Sequence, residues 1–482
     1  MLFDSPIYFV FLTLVVLVYW QLDTRQKKLF LLAGSYFFYG WWDWRFLGLI
    51  ALSTIVDFYC AHLIVRSDDA GTRRRWLIVS LALNLGFLGY FKYCGFFVDS
   101  LAHLLTGMGV ENPNLPLLNI LLPPGISFYT FQAVAYIVDV YDRRLKPADS
   151  LTDYALFISL FPHLIAGPIQ RPDHLLPQVQ TPRRFDAEQF HNGVMLIVWG
   201  LFRKCVIADN CAMLADGAFS GKFGPPSIVV LAIGAYAFAW QIYGDFSGYS
   251  MIARGSANLL GYDFMVNFRQ PYLATSLQDF WRRWHISLST WLRDYLYIRL
   301  GGNRGTNIQT NRNLFLTMAI GGLWHGANWT YVVWGALHGI CLMIGRAIMP
   351  NSDAGPSAAS SWLQRYRLFG DTLGDWLKRL AVFHFVCLAW VFFRAANVQS
   401  AVEFLSGIAV WHWRPQFAGA LILLAMFSLP LFAIDLLNER RQEEYPFEKA
   451  EQVWQVPSAA AVFAAIALVA GSGANAFIYF QF

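Results

Sequence analysis

Three histidines stand in apolar surroundings. His325 lies in GGLWHGANW, His338 in WGALHGI thirteen residues on, and His285 in FWRRWHISLST forty residues earlier, among arginines and tryptophans. Ionisable groups are costly to bury in such runs, so they are paired, face a cavity or do chemistry. An imidazole kept from water stays neutral and can accept a proton. Transfer of an acyl group to a hydroxyl needs such a base, which contributes on the order of a hundred- to ten-thousand-fold. His325 is therefore the first candidate; the alternative is a structural histidine with ring nitrogens satisfied by backbone groups. Trp324 would limit solvent beside it. Asn328 would bond an oxyanion, orient a substrate or join two helices. His338 falls about 220° around a continuous helix from His325 and is read as structural.

The segment from Asp279 to Arg312 carries Arg282, Arg283, Arg293, Arg299, Arg304 and Arg312 against Asp279 and Asp294. Helical spacing groups Trp281, Trp284, His285 and Leu288 on one face and sets Arg282, Arg283 and Arg293 outward, which predicts one amphipathic helix. Its charge either anchors the chain on anionic headgroups or, with the turn LGGNRG, holds the phosphates of a nucleotide-linked donor such as coenzyme A. His163 in FPHLIAGPIQRP and Asp245 in GDFSGYS sit in pieces broken by proline or glycine. Irregular backbone at membrane depth is tolerated only where protein or water satisfies it, so these two are placed to line a cavity. The six cysteines form no CxxC pair or Cys/His set and are read as small core residues, not as metal ligands or disulfides.

The elements that must position these groups are membrane spans. Of 482 residues, 56% are hydrophobic and 14% charged, well below the roughly 25% charged of a soluble domain. The net charge of +5 is too modest for a nucleic-acid binder. The start, MLFDSPIYFVFLTLVVLVYW, lacks the basic segment and small-residue cleavage site of a signal peptide. Arg25, Lys27 and Lys28 follow it, placing the N-terminus outside and the first loop in the cytoplasm. Apolar runs of roughly 20 residues predict about eleven spans plus re-entrant pieces. They form one integral-membrane domain over 1–482, with no internal repeat and with the core motifs between about 120 and 345. Spans are expected at 29–42 and 46–65, broken at Asp43-Trp44-Arg45, and the last at 459–480, after the outer turn ENPNLPLLN and others.

The succession GISFYTFQ, FPHLIAGPIQRP, DFSGYS, QPYLATSLQDFWRRWHISLSTWLRDYLYIRLGGNRG and GGLWHGANWTYVVWGALHG resembles the membrane-bound O-acyltransferase family. It is most similar to the bacterial branch that includes alginate O-acetylation and teichoic-acid D-alanyl transfer proteins. The resemblance implies helices ringed around a tunnel that joins a cytoplasmic donor site to an acceptor site across the bacterial inner membrane. It implies His325 as the essential histidine, acting as base or acid, and His285 as a second that orients donor or acceptor. Acetyl coenzyme A or another acyl thioester would be the donor substrate, with no bound cofactor. A periplasmic or membrane-anchored acetyltransferase partner would complete transfer to an exported polysaccharide. Two rivals stay open: D-alanyl or other acyl transfer to an envelope polymer, lipid or protein, and a transporter that only feeds donor to a separate catalyst, since transporters also use broken helices.

Overall fold

Apolar runs of this length can satisfy their backbone groups in a bilayer only by coiling, and the described residues are helical wherever they are regular. The computed structural model describes residues 1–110, 120–165, 167–348 and 371–469, and no strand occurs among these. The helices are α1 (Pro6–Tyr19), α2 (Thr24–Asp43), α3 (Leu47–Arg66), α4 (Ala70–Leu88), α5 (Cys94–Gly107), α6 (Ile126–Tyr141), α7 (Leu151–Ser159), α8 (Phe161–Leu164), α9 (Pro172–Gln180) and α10 (Ala187–Leu201). They continue with α11 (Asp209–Phe219), α12 (Ile228–Leu259), α13 (Leu277–Arg283), α14 (Ile286–Trp291), α15 (Asn307–His325), α16 (Trp329–Ile348), α17 (Leu373–Arg394), α18 (Val398–Ser406), α19 (Gln416–Arg441) and α20 (Gln452–Val469).

Among the described residues six runs are long and apolar enough to cross a membrane: Thr24–Arg66, Ala70–Gly107, Ile228–Leu259, Trp329–Ile348, Leu373–Arg394 and Gln416–Arg441. Two of them are compound. Thr24–Arg66 holds α2 and α3, separated where Asp43 leaves helical backbone (φ −159°, ψ 110°) and its carboxylate accepts from the Arg45 backbone at 3.0 Å. The predicted break at Asp43-Trp44-Arg45 is this turn. Ala70–Gly107 joins α4 to α5 through a wider turn at Gly89–Tyr93. The segment ENPNLPLLN and the second half of the expected last span lie outside the described residues.

The described chain forms two compact units, Met1–Gly193 with Ala253–Met265, and Val194–Ile252 with Val266–Phe482. In the first, a buried acid at the centre of α3 is satisfied by neutral donors, as a buried carboxylate must be. Asp57 accepts from Ser80 at 2.5 Å and Asn84 at 2.9 Å on α4, and from Tyr154 on α7 at 3.3 Å.

In the second unit, glycine has a different use from the one its sequence context predicts. GDFSGYS is not a broken segment: α12 runs without interruption for 32 residues through Gly244 and Gly248. These glycines let two backbones touch. A β-carbon at Gly248 would stand 2.7 Å from the Gly200 carbonyl oxygen, and one at Gly244 would stand 2.8 Å from that of Arg203. The same device closes the hairpin of α15 and α16, where β-carbons at Gly322 and Gly335 would collide with the carbonyl oxygens of Tyr331 and Met318. Gly335→Ala should therefore lower stability by about 1–3 kcal/mol, the usual size of an overpacking penalty. Thermal unfolding in detergent checks this against Gly345→Ala on the same helix, where a methyl group meets nothing within 4 Å and little change is expected.

Candidate active site

The predicted amphipathic helix through His285 is two helices. α13 is capped by Ser276, which accepts from the Asp279 backbone at 3.1 Å, and ends at Arg283; α14 starts at Ile286. Between them His285 adopts left-handed backbone, φ 43° and ψ 54°, a region that costs an ordinary side chain roughly 1–2 kcal/mol. The surrounding chain holds it there. Arg269 N–H donates to the Arg283 carbonyl at 2.9 Å, and Ile286 N–H donates to the Asn267 carbonyl at 2.9 Å. The Asn267 side-chain oxygen accepts from the Ser287 backbone at 3.2 Å and its hydroxyl at 3.0 Å, while the Asn267 amide donates to Ser250 at 3.1 Å. Asn267 is fully buried, and sequence reading passed over it; its only signal is an amide in an otherwise apolar run.

From His285 the chain descends through α14 and turns at Gly301 and Gly302, both with positive φ. It returns as α15, begun by a reciprocal cap between Thr306 and Gln309. The arms are antiparallel: Asn313 donates to the Gly302 carbonyl at 3.2 Å, Leu292 packs at Gly321, and His285 faces His325. This pairing brings together two histidines forty residues apart. His325 is the last residue of α15, and Gly326 leaves the helix in extended backbone (φ −162°, ψ 149°). His338 is thus on a different helix, so its angular offset from His325 along one helix does not apply.

The two imidazoles are buried, their ring centroids 6.1 Å apart. Aromatic rings enclose them. Phe246 stands 4.6 Å from His285 and Trp324 5.9 Å; Trp324, Trp334 and Phe393 stand 5.1, 5.2 and 5.3 Å from His325. Neither ring nitrogen of His285 makes a hydrogen bond among the described residues. A buried polar side chain in that condition, on strained backbone, fits a group that meets its partner in a substrate. His338 is also fully buried with both ring nitrogens unbonded among the described residues, and Trp334 packs against it at 4.9 Å as well as against His325.

The other sequence candidates are placed as follows. Trp324 lies at the pair. Asn328 starts α16, accepting from Thr330 N–H at 3.0 Å and donating to the Ala396 carbonyl at 3.0 Å; it joins helices. Arg282 is exposed, whereas Arg283, expected outward, is 4% exposed. Its guanidinium grips Glu439 through two nitrogens at 2.9 and 3.0 Å and Asp279 through the third at 2.9 Å. Asp245 pairs at 2.9 Å with Lys204, which also holds Asp209 at 2.8 Å. His163 belongs to the first unit, on the short helix α8, with one ring nitrogen 3.1 Å from the Gln132 amide and Phe264 against its ring at 5.4 Å. The arrangement at His285 and His325 can take a proton from a hydroxyl in a dry aromatic box and hydrogen-bond an oxygen beside it. No group of three His, Cys, Asp or Glu side chains among the described residues is placed to hold a metal ion.

The model of the membrane-bound O-acyltransferase family matches residues 37–389 of this chain. The chain is 44% identical over 406 residues to the probable alginate O-acetylase of Azotobacter vinelandii, covering 83% of this chain and 76% of that one. It is 45% identical over 406 residues to the probable alginate O-acetylase of Pseudomonas aeruginosa, with 83% and 73% covered. To the peptidoglycan O-acetyltransferase of Helicobacter pylori it is 37% identical over 440 residues, with 85% and 80% covered.

Proposed function

The chain belongs to the membrane-bound O-acyltransferase family, and from that premise we propose that it moves acetyl from a cytoplasmic thioester donor, such as acetyl coenzyme A, towards hydroxyls of an exported polysaccharide. The observation that carries this reading is the buried His285–His325 pair inside its aromatic box. His325 takes the proton of the attacking hydroxyl, whose oxygen forms the new ester bond at the thioester carbonyl. His285 donates to the carbonyl oxygen as charge gathers on it. The carbon–sulfur bond then breaks, and the proton on His325 passes to the departing thiolate, so the imidazole ends neutral. Donors aimed at a developing oxyanion count for most in a water-poor site.

Acetyl as the group and a cell-envelope polymer as acceptor are supported by the activities named for the relatives, alginate O-acetylation and peptidoglycan O-acetylation. The exposed Arg282 and Arg304 supply cationic groups suited to donor phosphates, while Arg293, also exposed, pairs with Asp294 at 2.7 Å. The placement belongs to a multi-pass protein of the inner membrane with its N-terminus outside, working with a periplasmic or membrane-anchored acetyltransferase that finishes the transfer.

The test is reconstitution of the full chain in liposomes, with acetyl-labelled coenzyme A on one side and acetylatable polysaccharide on the other. Labelled ester on the polymer, with or without the partner, supports the proposal. Passage of labelled thioester through the bilayer without ester formation would favour the donor-transporter reading, and transfer only from a D-alanyl thioester would change the acyl group.

A further inference from the structure

A second space in the molecule takes no part in that chemistry. A cavity of about 220 Å³ lies in the second unit among α12, α17, α19 and the turn Pro271–Leu273. Its inner wall is aromatic: Trp240 packs 5.4 Å from Tyr272 and 6.4 Å from Phe432, and Tyr272 packs 5.2 Å from Phe383. On α19 the lining residues, from Leu424 through Ser428 to Phe432, spread over about two turns. Trp376 and Arg379, both within the first two turns of α17, add polar groups to the lining. The Arg379 guanidinium lies 5.1 Å from the Trp376 ring centroid, donates to the Leu273 carbonyl at 2.9 Å and pairs with Asp371 at 2.7 Å.

The mouth is framed by apolar side chains that face outward. Leu380 and Leu429 line the cavity yet are 51% and 58% exposed, and their neighbours Leu377 and Met426 are exposed as well. All four stand on helices long and apolar enough to cross the bilayer: Leu377 and Leu380 near the start of α17 beside Trp376 and Arg379, and Met426 and Leu429 in the middle of α19, so the mouth faces lipid from the interface inward. Tryptophan near the end of a span stands at headgroup level, and the buried Arg379 beside it turns its guanidinium inward to Asp371 and the Leu273 carbonyl. The cavity is thus apolar at membrane depth and polar at one interfacial end.

We propose that this cavity seats one acyl chain of a membrane phospholipid, the chain lying along α19 and the phosphate resting at the Trp376–Arg379 end. A sugar polymer or a nucleotide would find almost nothing to hydrogen-bond in the aromatic stretch, whereas a hydrocarbon chain fills it at no polar cost. Asp371 offsets the charge of Arg379, so the seat discriminates little between anionic and zwitterionic headgroups. The lipid has a route of influence on the histidines that needs no contact with them. Tyr272 forms the cavity wall and stacks on Trp284, 6.2 Å away at 27°, and Trp284 immediately precedes His285. A chain in the cavity packs against Tyr272, and its removal leaves that wall unbacked.

The proposal is tested without any acyl-transfer measurement. The purified full chain, analysed by native mass spectrometry in mild detergent, should retain phospholipid. After delipidation, added phosphatidylethanolamine or phosphatidylglycerol should raise the melting temperature alike, by about 2–4 °C, and glycerol phosphate should not. Ser428→Trp, which fills the cavity, should lose both the retained lipid and the thermal response; Leu424→Phe is the milder filling variant if the first does not fold. Retention and thermal response unchanged in a folded filling variant would overturn the seat. Equal stabilisation by a free fatty acid would overturn the phosphate position.

Discussion

His325→Ala is expected to lower acyl transfer by about a hundred- to ten-thousand-fold, the span that a positioned general base supplies. The expectation rests on burial as much as on family. The ring is 4% exposed and boxed by Trp324, Trp334 and Phe393, so water is badly placed to replace the lost base. His325→Gln, which keeps a hydrogen-bonding side chain of similar length, should be nearly as inactive, because an amide cannot take the proton. The measurement is the O-acetyl content of secreted polysaccharide at matched membrane abundance, with thermal unfolding in detergent to show that the variants fold. Full acetylation in a folded His325→Ala variant would remove the proton-transfer role assigned here.

The second large effect concerns stability. Arg283 and Glu439 are 4% and 5% exposed and joined by two hydrogen bonds. Glu439→Ala takes from the buried guanidinium two of its three carboxylate contacts and leaves only Asp279, and breaking such a pair from one side costs about 3–5 kcal/mol. Arg283→Lys should also be poorly tolerated, since an ammonium cannot reproduce the two-pronged grip. The double replacement Arg283→Met with Glu439→Leu should recover part of the loss, because the two buried charges leave together and Asp279, which loses its arginine, keeps the bond from the Thr275 backbone at 3.2 Å. Melting temperature and membrane abundance report the stability. Transfer activity should fall with Glu439→Ala, since Arg283 lies two residues before His285. Were Glu439→Ala as stable as the native chain, the pair would be a surface-like contact despite its burial.

The outline of this arrangement was legible from residue types. Apolar runs announce helices able to cross a membrane, and histidines inside them announce the buried pair, because composition records burial directly. Residue types did not tell which glycines break a helix and which let two helices touch. Gly244 and Gly248 share a motif with polar neighbours, and only the opposing Gly200 and Arg203 backbones reveal their use. Helical spacing likewise sent Arg283 outward, since its partner Glu439 lies 156 positions along the chain. The interruption at His285 left no mark in its own neighbourhood. It depends on Asn267 and Arg269, which precede it by more than any helical or strand period, so local pattern reading carried a helix straight through it.

The positive φ at His285 also decides which substitutions are informative there. Few side chains settle in left-handed backbone, asparagine and aspartate most readily after glycine. An alanine at 285 changes two things at once, the ring and the ease with which the turn is held, and a valine or isoleucine would do worse on the second. Asparagine leaves the turn in its preferred company and removes the imidazole, so His285→Asn separates the chemistry of the ring from the geometry of the chain. A survey of this position by alanine alone would merge a folding defect with a catalytic one and assign both to the imidazole.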